Sequence, residues 1–140
     1  MKVLRRVVAA AGIGVAGAAL GYGALVLLTP TFGRIVGYAK PQPPLRVVQN
    51  VAHPSPTSAI VQIRDIAEWH FQSRPQLEKL YWPNPMLIEE RTDCWLVVFE
   101  QKIPVYKFLW IQQSVPPTDT AMYMSIAKSD LSMRWGAWCQ

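Results

Sequence analysis

The chain has few side chains able to do chemistry on a substrate. Its histidines are His53, in a proline-rich stretch, and His70; its cysteines are Cys94 and Cys139. A thiol beside an imidazole makes a nucleophile and its base, so His70 with Cys94 is the one candidate enzymatic pair. Placement argues against it, because His70 falls on the core-facing stripe of a helix and Cys94 opens the strongest strand of the chain. No H-E-x-x-H, C-x-x-C or Gly-rich phosphate loop occurs, and no lipobox cysteine accompanies the first apolar run. Glu89 and Glu90 cannot flank one substrate, since adjacent strand residues point to opposite faces; they read as a solvated strand end. The expectation is a protein that is not an enzyme, with no cofactor, no metal and no small-molecule substrate.

Charge narrows the partners. The 140 residues carry a net charge of +5, yet Lys2, Arg5, Arg6, Arg34 and Lys40 are the only charged side chains in the first 40 residues. Residues 41–140 hold nine Lys plus Arg against nine Asp plus Glu. No folded basic surface is left for a nucleic acid, and the asymmetry reads as a membrane signal instead.

Val7 to Leu28 is a 22-residue apolar run that would span roughly 33 Å as a helix, enough for a hydrocarbon core. A cleaved signal peptide, cut after Ala16 to Ala18, competes with a retained anchor. The run is longer than an ordinary signal core and ends in Leu25, Val26, Leu27 and Leu28 rather than in small residues, which favours the anchor. The cations before and after the run put the amino terminus inside and the remainder outside. Within the run, Gly17 and Gly21 form G-x-x-x-G, and Ala10, Gly14 and Ala18 repeat at the same interval. That spacing gathers small side chains on one helix face, where another helix can approach closely.

Residues 29–58 hold six prolines, Pro30, Pro41, Pro43, Pro44, Pro54 and Pro56, and read as an extended spacer. The chain thus divides into a signal anchor over 1–28, the spacer, and a small α+β domain over 59–140. Ser55 to Ser58 has helix-start chemistry, a hydroxyl cap beside a proline. Ile60, Ile63, Ile66, Ala67, His70 and Phe71 then recur at three- and four-residue intervals, an amphipathic helix ending before Pro75. Strands follow at 86–91, Cys94 to Glu100, Tyr106 to Gln113, Ala121 to Ala127 and Leu131 to Trp138. The architecture expected is one helix packed on an antiparallel sheet of four or five strands.

Tyr106, Phe108 and Trp110 alternate with Lys107, Leu109 and Ile111, so both faces of that strand are apolar and one helix covers only one of them. Trp95, Trp110, Tyr123 and Trp135 are the candidates for an uncovered aromatic surface that takes a protein partner or a second copy. Cys94 and Cys139 both fall outside the membrane, where disulfides persist. In an up-and-down meander they share one end of the sheet, yet they lie three strands apart, roughly 14 Å. A bond between them needs the sheet to curl or the tail to fold across, and unpaired thiols are the alternative.

The segments D-C-W-L-V-V-F-E at Asp93 to Glu100 and M-Y-M-S-I-A-K-S-D-L-S-M-R-W at Met122 to Trp135, behind one helix, resemble small cystatin-like and nuclear transport factor 2-like domains of bacterial envelope and immunity proteins. The resemblance covers residues 57–140. It implies a curved antiparallel sheet wrapping the helix, which would help bring Cys139 toward Cys94. Where such domains carry a Gly-containing turn in the late hairpin, this chain has Ala127-Lys128-Ser129-Asp130. Such domains are functionally diverse, so the likeness selects no activity.

The function expected is a single-pass, membrane-anchored, non-catalytic binding or accessory protein that presents its outer domain to a protein partner or to itself. The alternative is a small accessory or assembly subunit of a larger inner-membrane complex, bacterial or mitochondrial, held through the Gly/Ala-rich helix. The location expected is the inner (plasma) membrane with the amino terminus cytoplasmic; the mitochondrial inner membrane is open, and a cleaved product would be secreted.

Overall fold

A computed structural model describes residues 2–114 and 121–136, with side chains described from residue 14 onward. In chain order the elements are α1 (Lys2–Phe32), β1 (Arg34–Tyr38), β2 (Arg46–Val48), α2 (Thr57–Gln72), α3 (Pro75–Glu78), β3 (Leu87–Glu90), β4 (Cys94–Glu100), β5 (Pro104–Phe108), β6 (Ile111–Ser114), β7 (Ala121–Ala127) and β8 (Met133–Trp135). They form two compact units, the first from Met1–Ala39 with Pro104–Val115, the second from Lys40–Ile103 with Pro116–Gln140. The class is α+β with an apolar amino-terminal helix.

The first unit is α1 and a three-stranded antiparallel sheet in the order β1-β5-β6. This corrects the reading of Tyr106 to Gln113 as one strand. The segment folds back at Leu109 and Trp110, with Phe108 opposite Ile111 and Leu109 in the left-handed region at φ 55°. Two-residue hairpin loops ordinarily carry Asn-Gly or a similar pair, so Leu-Trp gives no turn signal. Residues 34–38, read as spacer, supply the third strand, with Arg34 opposite Lys107 and Tyr38 opposite Pro104.

Proline chemistry fastens this sheet to the helix. Pro30 lies in the last turns of α1 and has no N–H, so the carbonyl of Val26, four residues earlier, loses its helical donor. The side-chain amide of Gln113 donates to that carbonyl at 2.8 Å. The Thr29 hydroxyl is buried and donates to the Leu25 carbonyl at 2.8 Å. Gly33 donates its N–H to the Thr29 carbonyl at 2.8 Å. A Cβ on Gly33 would collide with that oxygen and stand 3.2 Å from the carbonyl oxygen of Lys107, so the close approach of helix end and strand requires glycine here.

The second unit has a five-stranded sheet in the order β2-β3-β4-β7-β8, antiparallel except for β2, which runs parallel to β3 with Arg46 opposite Leu87. The expected meander is therefore altered. β2 comes from the presumed spacer, β5 and β6 have left for the other sheet, and β4 pairs directly with β7 from Cys94 opposite Ala127 to Glu100 opposite Ala121. The sheet does not show the expected curl, its edge strands β2 and β8 being only three residues each.

Helix α2 buries Ile63, Ala67 and Phe71, a stripe at four-residue spacing. These meet Trp95, Val97 and Phe99, alternate residues of β4, together with Ile88, Met124 and Ile126. Phe71 stacks on Phe99 with ring centres 4.9 Å apart. The helix cap differs from expectation: Pro56 is the cap residue and no side chain bonds the first turn, because the Ser55 hydroxyl is used elsewhere.

If Gln113 replaces the donor that Pro30 lacks, Gln113→Leu should destabilise the first unit by about 1–3 kcal/mol, the cost of an unpaired buried carbonyl. In a Pro30→Ala background the same substitution should cost much less. Hydrogen exchange of the β5 and β6 amides in lipid nanodiscs measures both, and equal costs in the two backgrounds would refute the substitution of one donor for the other.

Candidate binding surface

The outward side of α2 carries the groove that dominates the second unit. Ser58, Gln62, Ile66 and His70 follow one another at four-residue spacing, and Val61, Asp65 and Trp69 form the adjacent row. With Leu131 they line an open groove of about 660 Å³. Trp69 is 66 % exposed, a large apolar side chain that this chain leaves uncovered, and Val61 is also exposed. The Trp69 and His70 rings meet edge to face at 4.8 Å, so His70 supports the indole rather than joining the core as expected.

The chemistry open to this groove is limited. Asp65 pairs with Arg64 at 3.4 Å. Among the described residues no hydrogen bond joins His70 to Ser58 or Asp65, and no three His, Cys, Asp or Glu side chains converge to hold a metal. Cys94 is buried at the start of β4, in no part of the groove lining. Apolar contact with a few polar groups at the margin is what the surface offers.

Both walls of the groove are fixed by one carboxylate. Glu90, read from the sequence as solvated, is buried at the end of β3 with its side chain 1 % exposed. It accepts hydrogen bonds from the Ser55 hydroxyl, from the backbone N–H groups of Ser55 and Asn50, each at 3.2 Å, and from the Lys128 ammonium at 2.9 Å. Burial alone would raise its pKa. The Ser55 hydroxyl, the Lys128 ammonium and the two N–H groups outweigh that and hold it at about 2, below the ordinary 4.5. Ser55 immediately precedes the Pro56 cap of α2, and Lys128 begins the turn that ends in Leu131.

Leu131 takes the left-handed conformation at φ 57°, and Ser132 donates its N–H to the Asp130 carboxylate at 2.9 Å. The hydrogen bonds from Ser132 lower the Asp130 pKa.

The sequence-derived aromatic surface is not assembled. Trp95 lies opposite Ile126 and Trp135 opposite Met124, residues of the core that meets α2, so both indoles turn toward the helix. Trp95 is buried, and Trp135 packs near Phe99 with the Arg74 guanidinium 5.1 Å from its ring centre. Tyr123, opposite Val98, points to the other face, and Trp110 belongs to the other sheet. The physical reason is register, since a strand whose partners change also changes which side chains share a face. Trp69, which the sequence reading passed over, is the exposed indole of this unit among the described residues, and its row with Val61 and Asp65 is the signal that marks the groove.

Of the small-residue face of α1, Gly14, Gly17, Ala18 and Gly21 are exposed, and a Cβ on any of the three glycines would meet no described atom within 4 Å. The side chain of Ala10 lies outside the described ones, as does Cys139. No protein-family model matches the chain, and comparison with curated proteins and with solved structures gives no significant match.

Glu90 makes the second unit acid-sensitive, with a sign set by its lowered pKa. The folded state binds fewer protons than the unfolded chain, so its contribution is complete above about pH 4.5 and is lost as pH falls toward about 2. Glu90→Gln should cost about 3 kcal/mol at neutral pH and flatten the loss across that window. Urea unfolding of both proteins at several pH values checks this, and parallel acid profiles would exclude Glu90 as the origin.

Proposed function

We propose that the protein is a single-pass, membrane-anchored binding or accessory protein whose second unit presents the α2 groove to a protein partner. The observation that carries this reading is the state of α1. Its stretch Gly14–Phe32 is apolar and long enough to cross a bilayer, and 6 % of it is buried, with Val15, Leu20 and Leu27 all more than 70 % exposed. Large apolar side chains at that density need a cover that the chain does not provide, and lipid is the simplest one.

The same observation supports a retained anchor over a cleaved signal. Cutting after Ala18 would leave Leu20, Leu27, Leu28 and Phe32 exposed on a secreted product, while the final turns of α1 are built into the first unit through Thr29, Gly33 and Gln113. Lys2, Arg5 and Arg6 before the span favour a cytoplasmic amino terminus and an extracytoplasmic second unit. The helix-on-sheet order of that unit supports the likeness to cystatin-like and nuclear transport factor 2-like domains, which selects no activity; the binding role rests on Trp69 and Val61, left exposed along the groove.

A second reading rests on the open face at Gly14, Gly17 and Gly21. An accessory or assembly subunit of an inner-membrane complex would use that face for close helix packing. The readings separate by substitution. Trp69→Ala with Val61→Ser should abolish partner capture from solubilised membranes under the first reading and leave it unchanged under the second. Gly17→Leu with Gly21→Leu should do the reverse. Capture of one partner set by wild type, scored against both variants, decides between them.

A Cys94–Cys139 disulfide belongs to the same extracytoplasmic placement. The strand-parity argument for it lapses because β4 pairs directly with β7; its support is the turn of the chain at Gly136, φ 66°, shortly before Cys139. The mass of the intact protein should rise by two hydrogens on reduction, and an unchanged mass would exclude the bond.

A further inference from the structure

We propose that the β5–β6 hairpin is a second membrane contact, in which Leu109 and Trp110 enter the headgroup layer while Arg34 and Lys107 bind lipid phosphates. This rests on the reading of α1 as a membrane span and adds a lipid-recognition site to it. Depth is the first argument. The hairpin is fastened to α1 at Val26, through Gln113, and to the helix end at Gly33. The apolar run ends at Leu28, and Thr29 to Phe32 covers roughly 6 Å of helix beyond it, about the thickness of one headgroup layer. A sheet held at that level lies where amphipathic aromatic rings and cations anchor membrane proteins.

Composition is the second argument. Trp110 is 72 % exposed, and its neighbour Leu109, together with Phe32 and Ile35 of the same unit, is more than half exposed. Leu109 occupies a left-handed position that glycine would fill without strain. An exposed leucine held there gains nothing from water and gains from an apolar cover.

Charge is the third and names the cover. Beyond the span the first unit carries Arg34 and Lys107 and not one Asp or Glu, its other cations, Lys2, Arg5 and Arg6, preceding the span. Arg34 and Lys107 are direct cross-strand neighbours, an arrangement that is unfavourable for like charges. Among the described residues every ion pair lies in the second unit. A layer of anionic phosphates offsets that repulsion and satisfies both donors.

The test uses the intact protein in vesicles whose phosphatidylcholine carries bromine near the headgroup, with and without phosphatidylglycerol. Tryptophan emission should be quenched, Trp110→Phe should lose most of the quenchable emission, and Trp69→Phe should keep it. Quenching of Trp110→Phe equal to wild type overturns the proposal and leaves a protein or a second copy as the cover of the hairpin. Unchanged exchange of the β5 amides in Trp110→Phe shows that the hairpin is still folded. Arg34→Gln with Lys107→Gln should lose the extra quenching that phosphatidylglycerol brings, and equal quenching of wild type in both vesicles overturns the phosphate site. Alkaline extraction separates this from the anchor reading. A wild-type chain that resists extraction but fails the quenching test overturns the hairpin contact alone, whereas a chain that is extracted overturns both.

Discussion

The carboxylate of Glu90 is bonded to two stretches of chain that lie far from it in sequence, and the groove on α2 exists in its present form because of those bonds. One comes from the Asn50 to Ser55 loop leading into the helix, the other from Lys128 at the β7–β8 turn. A buried carboxylate with one donor would be an expense to the fold. With four donors it becomes a fixed point, and its lowered pKa is the thermodynamic trace of that arrangement. Because Ser55 turns its hydroxyl to Glu90, α2 begins on Pro56 without a side-chain cap. Local helix-start chemistry has been given over to a long-range bond that sets where the helix lies.

An analogous exchange organises the first unit. Pro30 deprives Val26 of its donor, and Gln113 supplies it from a hairpin 87 positions away in sequence. In both units a backbone or side-chain group left unsatisfied locally is satisfied by a distant segment, which converts a local defect into a tertiary constraint. The two constraints have opposite electrostatic settings. Glu90 and Lys128 neutralise each other inside a unit whose charges balance, while the first unit holds cations only. The groove of the second unit therefore offers shape and apolar surface, whereas the first unit offers cations with no Asp or Glu of its own.

Much of this was legible in the sequence. The apolar helix over 7–28, the helix from the region of Ser55 to the residues before Pro75, and the strands at Cys94 to Glu100 and Ala121 to Ala127 all follow from apolar runs or periodicity, which are local properties. What failed was pairing. Alternation at Tyr106 to Gln113 is the same for one long strand as for two strands of a hairpin, and Leu109-Trp110 carries no turn residue to mark the reversal. Once that hairpin pairs with 34–38, β4 meets β7 directly and Trp95, Trp110 and Trp135 no longer share a face with Tyr123. Glu90 was misread for a related reason, since a carboxylate at a strand end appears solvated until the loop that covers it is known. The groove row Val61, Asp65 and Trp69 was visible as the outer face of an amphipathic helix, but an outer face ordinarily reads as solvent-facing.

Backbone strain links the two surfaces. Among the described residues only Leu109 and Leu131 are non-glycine residues at positive φ, a conformation that costs an L-residue about 1–2 kcal/mol relative to glycine. Each ends or forms a tight turn, where glycine or asparagine would relieve the strain and improve solubility. Each is also partly exposed and stands beside the most exposed indole among the described residues of its unit, Trp110 in one and Trp69 in the other. Leu109 is 57 % and Leu131 37 % exposed, so burial within the chain recovers only part of that cost for Leu109 and more of it for Leu131. A cover from outside would add to this, because removing the still-exposed part of either side chain from water contributes about 1 kcal/mol, at the lower end of the strain. The two strained positions therefore lie on uncovered surfaces of different chemistry, one in the cationic unit and one in the unit whose charges balance.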